Sequence, residues 1–335
     1  MKIFLIMALT LFMSGCANAQ SASTPVKLDV VGESLPAIRH INDMKMSGDT
    51  LLFVYESEDG YGQRLLRRAV VDIKSHNLRV STDMGKREDG YFVSYMPYPF
   101  IADDGSVCVI SQDDCEIYTV KSDTTLIRTK QYLMSGDSKV PFPLSQFVQD
   151  VFMTGLDKYV FIGREPNGGR QYAMKADLTT AKIDTIRQIN ISPELQTWMP
   201  NAGEMAYSGK FNRLAFAYKL HPLIEIFDTD GKKIKSVKIG EDTFDPKTME
   251  EADFDGLNSL HTVDVTYTSD YIYALYWGFK YANSQQSKPS IIKLDWDGNV
   301  IARYSELARP LYRIAAKDDS TLLGWNGKEF VLLTL

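Results

Sequence analysis

The chain is poor in the residues from which metal and nucleophile chemistry is most often built. Only four histidines and three cysteines occur in 335 residues. That excludes a His-rich metal centre, and three cysteines are too few for a zinc ribbon or a disulfide scaffold. No G-x-x-x-x-G-K-[ST] phosphate loop, no H-E-x-x-H and no G-x-S-x-G string is present. A net charge of -6 argues against a nucleic-acid surface, since phosphate binding needs a concentrated basic face. After the first dozen residues no segment approaches the roughly 18 apolar residues of a membrane helix. What is present is ordinary for a folded protein: 44% hydrophobic, 24% charged and 11% aromatic.

Residues 1–15 read as an address. Lys2 gives a positive start, 3–12 is apolar, and Met13-Ser14-Gly15-Cys16 follows. The apolar run is too short to span a bilayer and suits a signal-peptide core. Small residues directly before a cysteine resemble the bacterial lipobox, which implies cleavage before a lipidated Cys16; Met13 stands where leucine is commoner. A plain secretory signal cut near Ala17-Asn18-Ala19 is the alternative. Residues 16–25 are small and polar and read as a flexible tether. Acyl chains at Cys16 would hold the folded body on a membrane surface. Ala17 is not the Asp that marks many inner-membrane lipoproteins, and no acidic export run follows Cys16. An outer-membrane lipoprotein on the periplasmic side, and a monomer, are the expectations.

Residues 26–335 are organised by a repeat. TLLFVYES, SVCVISQ, KYVFIGR, RLAFAYK, YIYALYW and TLLGWN each follow a short polar turn, at a spacing of about 50 to 60 residues. After the first five comes a second strand–turn–strand signal, such as EIFDTDGKKIK and IKLDWDGNVIA. One unit is four antiparallel strands, and six units predict a six-bladed β-propeller. The last unit holds only three strands. Residues 26–31, VKLDVV, supply the fourth from the other end and would close the ring. A pair of β-sandwich domains is the alternative.

The connections within strand pairs are short. The second-to-third and between-blade connections are long: 56–63, 86–96, 135–145, 165–169, 192–202, 241–258 and 280–289. All of these fall on one face, the expected binding face. Candidate ligand contacts there are Tyr98, Arg164, Trp198, Tyr218, His221, Trp277 and Trp325. Aromatics at such places also wedge adjacent blades together, and both readings are open.

Innermost strands point into a central channel. His40, Asp43, Asp150, Glu204, His261, Asp264 and Arg313 are its candidate lining. His261 and Asp264 could form an acid–base pair, but three residues apart on a regular strand they face opposite ways. Three DxDG strings begin at Asp228, Asp253 and Asp295. The first and third fall where hairpin turns are needed. The second closes an acidic link and could be a weak calcium site, though it lacks an EF-hand's terminal Glu. No catalytic residue and no cofactor other than possible calcium is expected. Cys108 and Cys115 flank an expected hairpin turn and could be cross-strand partners in a disulfide.

The lipobox-like start, the opening IRHINDMKMSGDTLLFVY and the six irregular units resemble the TolB-like six-bladed propeller lipoproteins of Bacteroidetes. That resemblance implies an envelope protein with a propeller body and transfers no catalytic residues. The expected role is a lipid-anchored module that binds a protein or glycan on its loop-rich face. A calcium-dependent hydrolase or lyase at the channel mouth is the alternative.

Overall fold

Strand, tight turn, strand recurs as the alternation predicts, and the strands assemble into six sheets around an axis. The computed structural model describes residues 19–335 apart from 22–24, 33, 36, 59–63, 82, 84–85, 88–89, 92–96, 103, 112–115, 121–125, 132–148, 166–168, 181, 252–253, 306 and 308–309. Residues 1–15 and Cys16 therefore lie outside the described residues.

Blade one is Ile38–Ser47, Thr50–Ser57, Arg64–Asp72 and Asn77–Val80. Blade two is Pro97–Ile101, Val107–Ser111, Glu116–Val120 and Leu126–Gln131. Blade three is Gln149–Gly155, Lys158–Arg164, Gln171–Asp177 and Lys182–Ile189. Blade four is Gly203–Ser208, Arg213–Tyr218, Leu223–Asp228 and Lys233–Lys238. Blade five is Leu260–Tyr267, Tyr271–Phe279, Ser290–Asp295 and Val300–Ser305. Blade six holds Arg313–Ala316, Thr321–Trp325 and Phe330–Thr334, and Val26–Lys27 completes it.

The ring closes from the N-terminal side, but not with one strand. Val26 and Lys27 pair antiparallel with Leu332 and Val331, and the Leu28 N–H donates to Phe330 O. Asp29–Gly32 then crosses to blade one and runs parallel to Asn77–Val80. Two outer edges lie side by side there, each with unpaired backbone groups, and the segment pairs with both in turn. Leu28 sits at the crossing, fully buried. Ala19–Ser21, within the expected tether, adds in parallel to the outer strand of blade five. That part of the tether is a strand, because another open edge was available to it.

The core is distributed. Six apolar clusters of described residues each lie between two neighbouring blades. Each second strand is covered on both faces and so reads as a nearly continuous apolar run, Leu51 to Tyr55 in blade one. The Asp228 and Asp295 strings are hairpin turns: each aspartate accepts the backbone N–H groups two and four residues on. Asp253 lies outside the described residues. In blade two Cys108 pairs with Thr119 and Ser111 with Glu116, so Cys115 is not the residue opposite Cys108. The register thus corrects the expected facing of Cys108 and Cys115. Cys108 is buried and unbonded, and Cys115 is outside the described residues.

Candidate functional site

The innermost strands are irregular where they carry charge. Their ladders shift between Ile41 and Asp43, between Gln149 and Phe152, and between Thr262 and Asp264. Asp150 has φ of 50°, a left-handed conformation rare outside glycine. An extra residue in a strand re-aims the side chains beside it. Asp43, Asp150 and Asp264 stand at these three bulges.

The carboxylates stitch blade to blade. Asp150 Oδ2 accepts the Met205 N–H at 2.7 Å, from blade three to four. Glu204 Oε2 accepts the Val265 N–H at 3.0 Å, from four to five. Asp264 Oδ2 accepts the Ile314 N–H at 2.5 Å, from five to six. Arg313 continues to blade one by donating Nε to Ile41 O at 3.1 Å, while its Nη1 reaches Glu204 Oε1 at 2.8 Å and Val263 O at 3.0 Å. The series does not extend from blade one to two. The residue after Tyr98 is Pro99, which has no N–H to give. Asp43 instead holds Lys45 Nζ at 3.1 Å.

These contacts set the protonation of the ring. Burial opposes ionisation of Glu204, but Arg313 beside it holds its carboxyl below the usual range. Burial and then the Glu204 charge push Asp264 well up, and push Asp150 up to about 7. Burial works against the Lys45 ammonium, yet Asp43 and Asp150 keep its pKa raised.

Above the stitches lies a cavity of about 280 Å³. Asp43, Lys45, Asp150, Glu204 and Arg313 form its depth, with Tyr98, Arg64 and Arg164 around it. These strand ends all belong to the loop-rich face. Arg164 spans two glutamines, donating Nε to Gln171 at 3.1 Å and Nη2 to Gln149, and its guanidinium lies 3.9 Å from the Trp198 ring centre. Among the described residues it has no carboxylate partner, and burial lowers its pKa. Tyr98 lines the same cavity, its phenol pushed up to about 12 by burial.

Of the channel candidates, Asp43, Asp150, Glu204, Asp264 and Arg313 meet around the axis. His40 does not: it is exposed near the start of its strand, with Nε2 3.2 Å from Glu56. His261 is buried against Tyr276, and neither ring nitrogen has a hydrogen-bond partner among the described residues. It makes no pair with Asp264. Of the face candidates, Tyr98 and Arg164 line the pocket, and Trp198 packs against Arg164. Tyr218 and Trp277 are corrections: they are buried wedges in the clusters between blades, and Trp325 is also packed there, though it borders a second cavity off the axis. Trp277 donates Nε1 to Leu311 O at 3.0 Å, and Tyr218 donates to Glu225 at 3.2 Å. His221 is buried under the 241–258 link, 4.6 Å from the Phe244 ring and 3.3 Å from Asp242. That link forms the short helices Pro246–Glu250 and Phe254–Leu257. No cluster of His, Cys, Asp and Glu suited to a metal ion occurs among the described residues.

Lys45, Arg64, Gln149 and Asn42 are lining residues missed by sequence reasoning. Lys45 was findable, since it follows Asp43 at the strand period with buried Met44 and Met46 on the other face. Arg64 and Gln149 carried no such signal.

No family model matches the chain, and no curated protein matches it. Solved structures do match. A member of the DUF4221 family from Bacteroides vulgatus superposes with a TM-score of 0.57 at 13% identity, over 93% of this chain and 96% of that one. A protein of unknown function from Bacteroides thetaiotaomicron gives 0.53 at 11% identity, over 92% and 75%. At these identities the likeness carries the fold alone: the chain is a six-bladed β-propeller structurally similar to these two Bacteroides proteins.

Proposed function

We propose that the chain is a binding module of the cell envelope, anchored through lipid on Cys16 and facing the periplasm from the outer membrane. Its loop-rich face takes a protein or glycan partner, with a polar group of that partner seated in the axial pocket. One observation carries the reading. Arg164 is held in place by two neutral glutamines and the Trp198 face; Asp150 lines the same pocket, but no carboxylate forms an ion pair with Arg164 among the described residues. A fixed, partly buried cation with no carboxylate in direct contact is a ready donor for an acceptor group on a partner.

A metal-dependent hydrolase built on Glu204 and Asp264 is less well supported. Glu204 holds a backbone N–H and Arg313, and Asp264 holds a backbone N–H on each oxygen. Elemental analysis of the purified chain, before and after chelation, decides that reading; a stoichiometric metal would favour it. The binding reading is tested by affinity capture from envelope extract on immobilised chain, with Arg164→Gln and Trp198→Ala as controls. Captured material identified by mass spectrometry should fall in both variants. Equal capture by all three forms would refute the axial pocket as the site.

A further inference from the structure

A second cavity of about 600 Å³ lies off the axis on the same face, within the roughly 300–1,000 Å³ range of small-ligand sites. It runs over blade six, between the 280–289 loop of blade five and the first strand of blade one. Its aromatic side is a stack. Trp277 is the buried base, Phe279 lies parallel to it at 4.9 Å, and Tyr281 lies nearly parallel at 6.1 Å. Tyr281 is 59% exposed, so one flat apolar ring is presented to solvent on a rigid footing. Tyr312 stands 6.5 Å from it at 56°, forming a second wall. The turn opposite approaches Tyr312 closely. Gly327 has φ of +90°, and a side chain there would meet the Tyr312 ring at 3.1 Å. Glycine keeps that wall clear.

The polar side carries one sign of charge. Arg39, His40 and Lys328 line the groove, and no carboxylate does among the described residues. His40 is engaged by Glu56. Arg39 and Lys328 are exposed, and their side chains make no hydrogen bond or ion pair among the described residues. Gln285 gives Nε2 to the Tyr312 hydroxyl at 3.1 Å, and its carbonyl makes no hydrogen bond among the described residues. Asn326 uses Oδ1 on the turn and keeps its amide donors. Flat rings, unengaged cations and neutral amides in one concave site match a ligand with an apolar face, hydroxyls and a negative charge.

We propose that this groove binds an acidic saccharide, its ring face laid on Tyr281 and Tyr312 and its carboxylate or sulfate held by Arg39 and Lys328. The proposal rests on the binding reading for its choice of face, and it favours a glycan over a protein at this second position.

Calorimetric titration of the full chain with trigalacturonate, a sulfated chondroitin tetrasaccharide and neutral galactotriose tests it. At least one acidic probe should bind, and galactotriose should bind about tenfold more weakly or not at all. Tyr281→Ala, and Arg39→Ala with Lys328→Ala, should each weaken the acidic probe about tenfold. All three positions are at or beside the surface, and a thermal melt confirms that the variants fold. Raising the salt should weaken wild type more than the double variant. Arg164→Gln should bind as wild type does. Failure of both acidic probes to bind, equal binding of galactotriose, or unchanged binding in the variants overturns the proposal. Loss in Arg164→Gln with Tyr281→Ala unaffected overturns it too, and places the saccharide in the axial pocket. Groove binding that persists while Arg164→Gln leaves envelope capture unchanged would sink the axial reading alone.

Discussion

Glu204 Oε2 accepts the backbone N–H of Val265, so a carboxylate on the innermost strand of one blade holds the innermost strand of the next. Asp150 with Met205, and Asp264 with Ile314, repeat the contact. The polar lining of the channel is therefore first a set of inter-blade stitches. Side chains that take no part in them, Arg164 above all, are the ones left for a ligand.

Arg313 is the member of this set with most partners, and its loss takes one donor each from Glu204, Asp264 and the Ile41 and Val263 carbonyls. Arg313→Ala should cost about 2–4 kcal/mol, toward the lower end for a buried ion pair because solvent reaches 22% of the side chain. Urea unfolding at pH 7 measures it. Arg313→Lys should recover part of the loss.

Asp150 sets a pH dependence of known sign. Its carboxyl rises from 3.8 to about 7 on folding, through burial and the Glu204 charge. Between those values the folded state keeps a proton that the unfolded state has lost, so this group's contribution makes stability fall as pH rises through the window. Asp150→Asn keeps an oxygen for the Met205 N–H and removes the titration. Its melting temperature should gain on wild type by about 1–3 °C between pH 5 and pH 8. Parallel curves for the two proteins would contradict the assignment.

His261 acts in the opposite direction. Burial lowers its pKa from 6.5 to about 4. As pH falls below 6.5 the unfolded state gains a proton that the folded state refuses, and stability is lost until about pH 4. His261→Leu should flatten that acid limb. At pH 7 it should be neutral or stabilising by about 1 kcal/mol, since two buried nitrogens without partners leave the interior. Thermal melts across pH 4–7 report both effects.

The ring closure makes a comparison between neighbours. Leu28 is fully buried at the crossing from blade six to blade one, whereas Val30 and Val31 are 38% and 41% exposed on the next strand. Leu28→Ala should cost about 2–4 kcal/mol. Val30→Ala and Val31→Ala should each cost less than about 1 kcal/mol. Equal costs by chemical denaturation would mean that Leu28 is not the clasp.

Much of this architecture is legible in the residues, for a physical reason. A strand packed between two blades must be apolar on both faces, and tight turns need Gly, Asp and Asn, so TLLFVYES and its counterparts mark the blades. Closure by 26–31 is legible as a missing fourth strand. The split after Lys27 is not, because it depends on two edges lying side by side. The site is legible in part. Asp43, Glu204, Asp264 and Arg313 follow from their innermost strands. His40 and His261 do not converge with them, because bulges break the alternation that would orient them. Tyr218 and Trp277 have the residue types and strand positions of ligand contacts; only the packing of neighbouring blades reveals them as wedges.

The claim that this face binds a partner through the axial pocket is tested most directly by envelope capture with the wild type and Arg164→Gln side by side. The account predicts a discrete species, identified by mass spectrometry, that the wild type retains and the variant loses by about tenfold while melting as the wild type does. Equal retention of that species by the two proteins would contradict it.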